Sequence, residues 1–244
     1  ADLEFVVAIY AVAKLGAVAV PLPTKYRKPE VINLIRKSYL SLLIVDEEFR
    51  AWEDEIPLAS DKIIYTSSSP IHYGFSAYTS SSEGSVASQV SLSDPLLIIF
   101  TSGTTSRAKG VMLKNYNVIH AIEVYQRILG TSSRDKTIIP IPIYYVTGLI
   151  ALLMQFIYVG GTIYLQRKYD ARRCLKTIRD YHLTYMHGSP TSFEELLRCR
   201  NEFPDLPSLR CILSGSSYEP ISKIRQFHSW LPNAKFRVVY GMTE

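Results

Sequence analysis

The sequence is poor in cysteine: Cys174, Cys199 and Cys211 are the three it has in 244 residues, and none stands at the paired spacing of a metal site or a redox motif. An odd cysteine count, with no charged leader ahead of an apolar stretch, fits a reducing compartment, so the expected location is cytoplasmic. The five histidines, His72, His120, His182, His187 and His228, show no ligand spacing either. Long hydrophobic runs are missing as well. The longest, Leu149 to Val159, contains Gln155 and is too short to span a bilayer, so no transmembrane segment is expected. Basic clusters are absent too: 27 Lys and Arg stand against 22 Asp and Glu, for a net charge of +5 spread along the chain, and nucleic acid is not an expected partner. No internal repeat stands out, and no oligomeric state is legible.

What is present is an ordinary soluble composition, 47% hydrophobic and 20% charged, in a chain long enough for one large domain or two small ones. Asp2 is a candidate cap for the helix "LEFVVAIYAVAKLG" with Gly16 as its stop, and Pro29 opens a second helix. "AVAVPLP" reads as a buried strand, "LLIV" as the next. From "LLIIF" onward, apolar strands ("KTIIPIPI", "TIYLQ", "LTYMH", "LRCILSG", "FRVVYG") alternate with helical segments, "GLIALLMQFIYV" among them. Continuous apolar strands separated by helices predict an α/β fold with mainly parallel sheets covered on both faces. The Ser-rich stretch "YTSSSPIHYGFSAYTSSSEGS" reads as an exposed connector, which predicts a partial first α/β subdomain over residues 1–85 and a second over 86–244. The chain opens without Met and stops at Glu244 directly after a motif-like cluster, so both ends read as cut.

One segment asks for a chemical explanation. Behind the apolar "LLIIF" come Thr101, Ser102, Gly103, Thr104, Thr105 and Ser106, then Lys109 and Gly110. Successive backbone N–H groups in such a loop can form an anion-binding nest, the hydroxyls add donors, and Lys109 adds a positive charge. The pattern fails the P-loop motif on both sides of Lys109, with Ala108 before it and Gly110 after it. A phosphate cradle and a Ser/Thr-rich surface turn both remain open on this stretch alone.

"FTSGTTSRAKGV" resembles the signature of the adenylate-forming superfamily: acyl-CoA synthetases, luciferases and adenylation domains of peptide synthetases. It departs from the usual pattern at Ser106, where Gly is usual, and at Ala108, where Pro is usual. Further segments resemble the family's landmarks in order: "AVAKLGAVAVPL", "PIYYVTGL" with Tyr145 where His is common, "VGGT", "MHGSPTSFEELL", "LRCILSGSSYEP" with Ser216 and Ser217 in Gly-Ala positions, and "VYGMTE". The resemblance covers nearly the whole chain and implies two doubly wound subdomains of an acyl-CoA synthetase-like large domain.

The same resemblance implies roles. Thr101, Ser102, Gly103, Thr104, Thr105 and Lys109 would hold the ATP phosphates; Gly215, Ser216, Tyr240, Gly241 and Thr243 would meet the rest of the nucleotide. Lys109, Thr243 and Glu244 would be the catalytic set, with Thr104 and Glu244 facing Mg²⁺. Tyr145, Gly148, His187 and Gly188 would line the acyl pocket, although for His187 a satisfied structural histidine is the competing reading. Glu194 and Glu195 read as answering a helix dipole rather than as acid–base groups.

The implied reaction is ATP-dependent activation of a carboxylic acid to acyl-AMP, with CoA as co-substrate. No Asp or Glu stands in "PIYYVTGL" to pair a substrate ammonium, which favours a fatty or aryl acid over an amino acid. Full-length members continue past the last motif with a ribose-binding Asp, a hinge and a small lid domain carrying a Lys, so the chain by itself is expected to be inactive. A non-catalytic relative that binds nucleotide or a partner, a peptide-synthetase adenylation domain and a luciferase-like oxygenase are the alternatives.

Overall fold

A computed structural model describes residues 2–66, 89–101 and 108–244. Most of the Ser-rich connector and residues Ser102, Gly103, Thr104 and Thr105 lie outside these. The described residues form two compact units, Leu3–Asn115 and Tyr116–Glu244, the latter taking Asp2. The sequence-based division lay at residues 85 and 86, whereas the contact units divide between Asn115 and Tyr116.

In the first unit α1 spans Leu3–Lys14 and runs out at Gly16, whose φ of 70° is the left-handed conformation glycine adopts freely. Pro29 sits in the first turn of α2 (Lys28–Ser38), and Glu30 accepts a hydrogen bond from the Arg27 N–H at 2.7 Å. Strands β1 (Leu43–Asp46) and β2 (Ile63–Thr66) pair in parallel and bury Leu43 and Ile63 against Val31, Ile32 and Ile35 of α2. Strands β3 (Pro95–Thr101) and β4 (Lys109–Lys114) form an antiparallel hairpin. β4 was not expected, because its burial alternates with polar ends and only Leu113 is buried.

The expected strand "AVAVPLP" contributes a single bridge. The Ala19 N–H donates to Leu96 O and the Ile98 N–H to Ala19 O, both at 2.9 Å. Pro21 and Pro23 remove the donors that further pairing would need. That bridge ties β3 to the first unit.

The second unit holds five parallel strands in the order β6-β5-β7-β8-β9. They are β5 (Lys136–Ile139), β6 (Thr162–Leu165), β7 (Tyr185–Gly188), β8 (Cys211–Ser214) and β9 (Lys235–Val238). Helices α3 (Asn115–Leu129), α4 (Ala171–Tyr181), α5 (Pro190–Arg198) and α6 (Ile221–Trp230) connect and cover them. Alternation along the strands sorts the side chains onto two faces. Ile138, Met186 and Ile212 pack with Cys174, Leu175 and Ile178 of α4, Phe193 and Leu196 of α5, and Phe227 of α6. Tyr185, His187, Cys211 and Leu213 take the opposite face, where the Phe156 ring meets Tyr185 edge-on at 5.1 Å. Burial on both faces explains the apolar sequences of β5, β7 and β8, whereas the edge strands β6 and β9 are half-buried to exposed.

Phe156 belongs to the helical stretch 146–158, expected as a plain buried helix. Its middle, Leu149–Met154, is π-helical and wholly buried. Gln155, also buried, donates from Nε2 to Thr131 Oγ1 at 2.9 Å. Cys174 and Cys211 are buried and Cys199 is partly so, all three free; burial pushes the Cys174 thiol up to about 12, which keeps it unreactive. Among the described residues no helix is long and apolar enough to cross a membrane.

Polar glue gathers at the amino-terminal edge of this sheet. Asp135, just before β5, accepts from Arg210 Nε at 2.7 Å and Nη2 at 2.8 Å, from Thr184 Oγ1 at 2.7 Å and from the Ser132 N–H at 2.9 Å. The same guanidinium donates to Leu129 O and Gly130 O at 3.1 and 3.2 Å, satisfying carbonyls at the end of α3.

Candidate functional site

The register of the β3–β4 hairpin pairs Thr101 with Lys109 and Phe100 with Gly110. The last described pair of this ladder brings a Thr and a Lys side by side. Thr101 is half-buried and Lys109 exposed. Among the described residues Lys109 has no ion-pair partner. Gly110 sits close to β3: a Cβ there would lie 2.9 Å from Ile98 Cγ2, so a larger residue would have to displace that side chain. Of the expected phosphate-binding residues, the structure describes Thr101 and Lys109; Ser102, Gly103, Thr104 and Thr105 fall outside it.

In the second unit the expected site residues cluster at the carboxyl ends of β7, β8 and β9, the end at which open parallel sheets bind ligands. The ladder runs on beyond the strands: the Gly215 N–H donates to Gly188 O at 3.2 Å and the Val239 N–H to Ser214 O at 2.8 Å. Gly188 and Gly215 have no room for a side chain, since a Cβ would meet Ser192 Oγ at 2.8 Å and Val239 Cγ2 at 2.9 Å. Ser216 follows with φ 74°, a left-handed conformation that suits glycine better than serine. Beyond β9, Tyr240 is 93% exposed, Gly241 and Glu244 are exposed and Thr243 partly so. Glu194 sits past the first turn of α5 and pairs with Arg198 and Lys223, so it serves as an ion-pair partner rather than a dipole counter-charge.

Tyr145 and Gly148 open the helical stretch 146–158. The Tyr145 ring stacks edge-on against Tyr144 at 4.6 Å and is 37% exposed. Gly148 is packed against backbone: a Cβ would stand 2.3 Å from Pro142 O. A Gly148→Ala substitution is therefore expected to cost about 1–3 kcal/mol through forced backbone movement, read as a lower midpoint in urea with unchanged slope.

Of the buried polar atoms without a hydrogen-bond partner among the described residues, those of two side chains lie in or just after β7 and β8 near their carboxyl ends. His187, at 1% exposure, leaves both ring nitrogens unpaired, so the reading of a satisfied structural histidine is corrected. Its Nε2 lies 3.5 Å from the position a Cβ on Gly215 would take. Burial pushes its pKa down to about 4, which keeps the imidazole neutral at pH 7.

Below the ordinary value of 6.5 the unfolded chain binds a proton that folded His187 refuses until about pH 4, so stability present above 6.5 is lost on acidification. The loss across that window is about 3 kcal/mol. His187→Leu is expected to flatten this part of the stability–pH curve, measured by urea unfolding from pH 7 to 4.

The second such side chain is Glu219, 4% exposed, whose Oε2 accepts from Ser214 Oγ while Oε1 has no partner. No sequence signal marks it, since an acid between Tyr218 and Pro220 reads as a surface residue.

Comparison with known proteins accords with this geometry. Indoleacetate--CoA ligase of Aromatoleum aromaticum is 29% identical over 99% of this chain and 48% of its own length. 2-Succinylbenzoate--CoA ligase of Bacillus velezensis is 29% identical over 99% of this chain and 46% of its own. The chain thus spans about half the length of the curated relatives it matches. Among solved structures, ATP-bound MatB from Rhodopseudomonas palustris superposes with a TM-score of 0.87 at 25% identity, covering 100% of this chain and 48% of that one. The family profile described as AMP-binding enzyme matches residues 2–244, and the chain belongs to that family.

Proposed function

We propose that this chain is the nucleotide- and acid-binding portion of an acid–thiol ligase. The carboxylate of an apolar acid attacks the α-phosphorus of ATP; the bond to the bridging oxygen of pyrophosphate breaks, and acyl-AMP forms. The thiol of CoA then attacks the acyl carbon, and AMP leaves with the oxygen it took from the acid. The observation that carries this reading is the β3–β4 register, which pairs Lys109 with Thr101, the residues on either side of a hydroxyl-rich sequence.

Each residue has a stated part. Thr101, Ser102, Gly103, Thr104, Thr105 and Lys109 bind the polyphosphate, chiefly by positioning and charge neutralisation. Backbone of Gly215 and Ser216 and the ring of Tyr240 receive the base, with Gly241 leaving room beside it, and Thr243 donates to the α-phosphate. Mg²⁺ would be held by Thr104 and Glu244, whose oxygens are hard ligands, and when bound it neutralises phosphate charge. The described residues contain no cluster of three ligating side chains, so phosphate oxygens and water would complete its shell.

Tyr145, Gly148, His187 and Gly188 line the acid's pocket. A neutral His187 offers hydrogen bonds and no charge, which suits an uncharged tail. The two ligase relatives named above are named for aryl acids, and this chain is read as taking an aryl or fatty acid. The reading places the protein in the cytoplasm, where both ATP and CoA are available.

The test is pyrophosphate exchange by the full-length protein that carries this chain, run with fatty, aryl and amino acids side by side. Exchange driven by an aryl or fatty acid is expected. Exchange driven chiefly by an amino acid would overturn the acid assignment.

A further inference from the structure

The second unit carries a surface groove of about 690 Å³ between the turn that follows α5 and the carboxyl-terminal half of α6. Arg200 and Arg225 line it, and neither has an ion-pair partner among the described residues. The acids nearby in sequence are engaged elsewhere: Glu202 by Arg172, Glu194 by Arg198 and Lys223. Asp205 is exposed and does not line the groove. Arg200 Nη1 donates to Gln226 Oε1 at 3.1 Å, which occupies the amide oxygen and leaves Gln226 its N–H donors. The Trp230 indole N–H donates to Phe203 O at 2.8 Å, so what Trp230 offers the groove is its ring.

Charge decides what the groove accepts. The carboxyl ends of α5 and α6 each contribute roughly half an elementary negative charge, which two guanidiniums outweigh. The occupant is therefore an anion. Shape decides its size. A small-molecule site encloses most of its ligand, whereas Arg200, Arg225, Gln226 and Ser229 are all exposed and Trp230 alone of the lining is partly buried. A shallow trough suits a chain segment laid across it, and Arg and Trp are the residue types that anchor protein interfaces.

We propose that this groove docks an acidic segment of a partner protein, whose carboxylates meet Arg200 and Arg225 while an apolar side chain lies against the Trp230 ring. The surface is separate from the nucleotide reading. Helix α6 starts after the carboxyl end of β8 and runs back along the sheet, so its ten residues carry the groove roughly 15 Å from the Gly215–Ser216 turn.

The experiment is fluorescence anisotropy with a labelled, blocked nonapeptide, three repeats of Glu-Glu-Leu, titrated with the full-length protein that carries this chain. Saturable binding is expected. Replacing every Glu of the peptide by Gln should weaken it by at least about tenfold. Arg200→Gln and Arg225→Gln should each weaken it by up to about fivefold, the worth of one exposed ion pair, and more when combined. Ser229→Asp, which sets a negative charge in the groove, should weaken it as well. Pyrophosphate exchange should be unchanged in all three variants.

The control is Arg36→Gln with Lys37→Gln, which removes two exposed charges from α2 in the other unit and should leave affinity unaltered. An equal loss in that control would reduce the effect to net charge and overturn the proposal. Absence of saturable binding, or equal binding of the Gln peptide, overturns it too. Displacement of the peptide by equimolar inorganic phosphate would make a small phosphate ligand the occupant, which also contradicts it.

Discussion

Replacing Asp135 by alanine is expected to lower the unfolding free energy of the second unit by about 3–5 kcal/mol, the cost of orphaning a buried charge. The Asp135 side chain is 6% exposed and its Arg210 partner 38% exposed, so the half-open guanidinium places the loss toward the lower end. Five hydrogen bonds converge on this carboxylate, and two further chain segments hang from Arg210 and Thr184: the end of α3 and the start of β5. Removing Asp135 leaves Arg210 unneutralised and Thr184 without its acceptor at 2.7 Å.

Burial by itself would raise the Asp135 pKa. Hydrogen bonds from Arg210, Thr184 and the Ser132 N–H outweigh burial and hold it below the ordinary 3.8. Its contribution is therefore complete above pH 3.8 and is lost as the pH falls through the lowered value. Acid unfolding should accordingly show two phases, the His187 window first and the Asp135 window below it. Asp135→Asn should remove the second phase alone. Denaturant titrations from pH 7 to 2 on wild type, His187→Leu and Asp135→Asn separate them; a single phase in all three would contradict the assignment.

The second large effect is on chemistry. Lys109→Ala is expected to cut pyrophosphate exchange by about 10²–10³-fold, the usual loss when one preorganised charge is taken from a developing phosphate centre. Lys109 is exposed and has no ion-pair partner among the described residues, so its loss should shift stability by no more than about 0.5 kcal/mol. Stability and activity part company at this position, which separates a binding role from a structural one. If the Lys109 charge acts mainly in the transition state, kcat falls further than KM rises. An activity within threefold of wild type would remove Lys109 from the machinery.

Local signals in the sequence carried much of the architecture. Gly16 and Pro29 bracket helices as glycine and proline do, and the second unit's parallel sheet was legible because strands buried on both faces read as apolar runs. What stayed hidden depends on partners far along the chain. β4 is a strand only because β3 is there to pair with it, and "AVAVPLP" fails as one because its prolines leave a single bridge at Ala19. The π-helical middle of 146–158 adds no residue type that distinguishes it from an α-helix.

The site divides in the same way. Lys109 and the motif residues after β8 and β9 were legible as patterns. The burial of His187 and Glu219 was not, because exposure is set by what packs above a residue and not by its neighbours in sequence.

The central claim is that an acid's carboxylate attacks the α-phosphorus of ATP. It is tested most directly by following oxygen. The full-length protein is given ATP, CoA and an aryl or fatty acid labelled with ¹⁸O in both carboxylate oxygens, and the AMP is collected for mass spectrometry. AMP carrying one ¹⁸O is the predicted result, because the bridging oxygen of acyl-AMP comes from the acid and stays on phosphorus when the thiol displaces it. Unlabelled AMP, or label appearing in inorganic phosphate, would contradict the account.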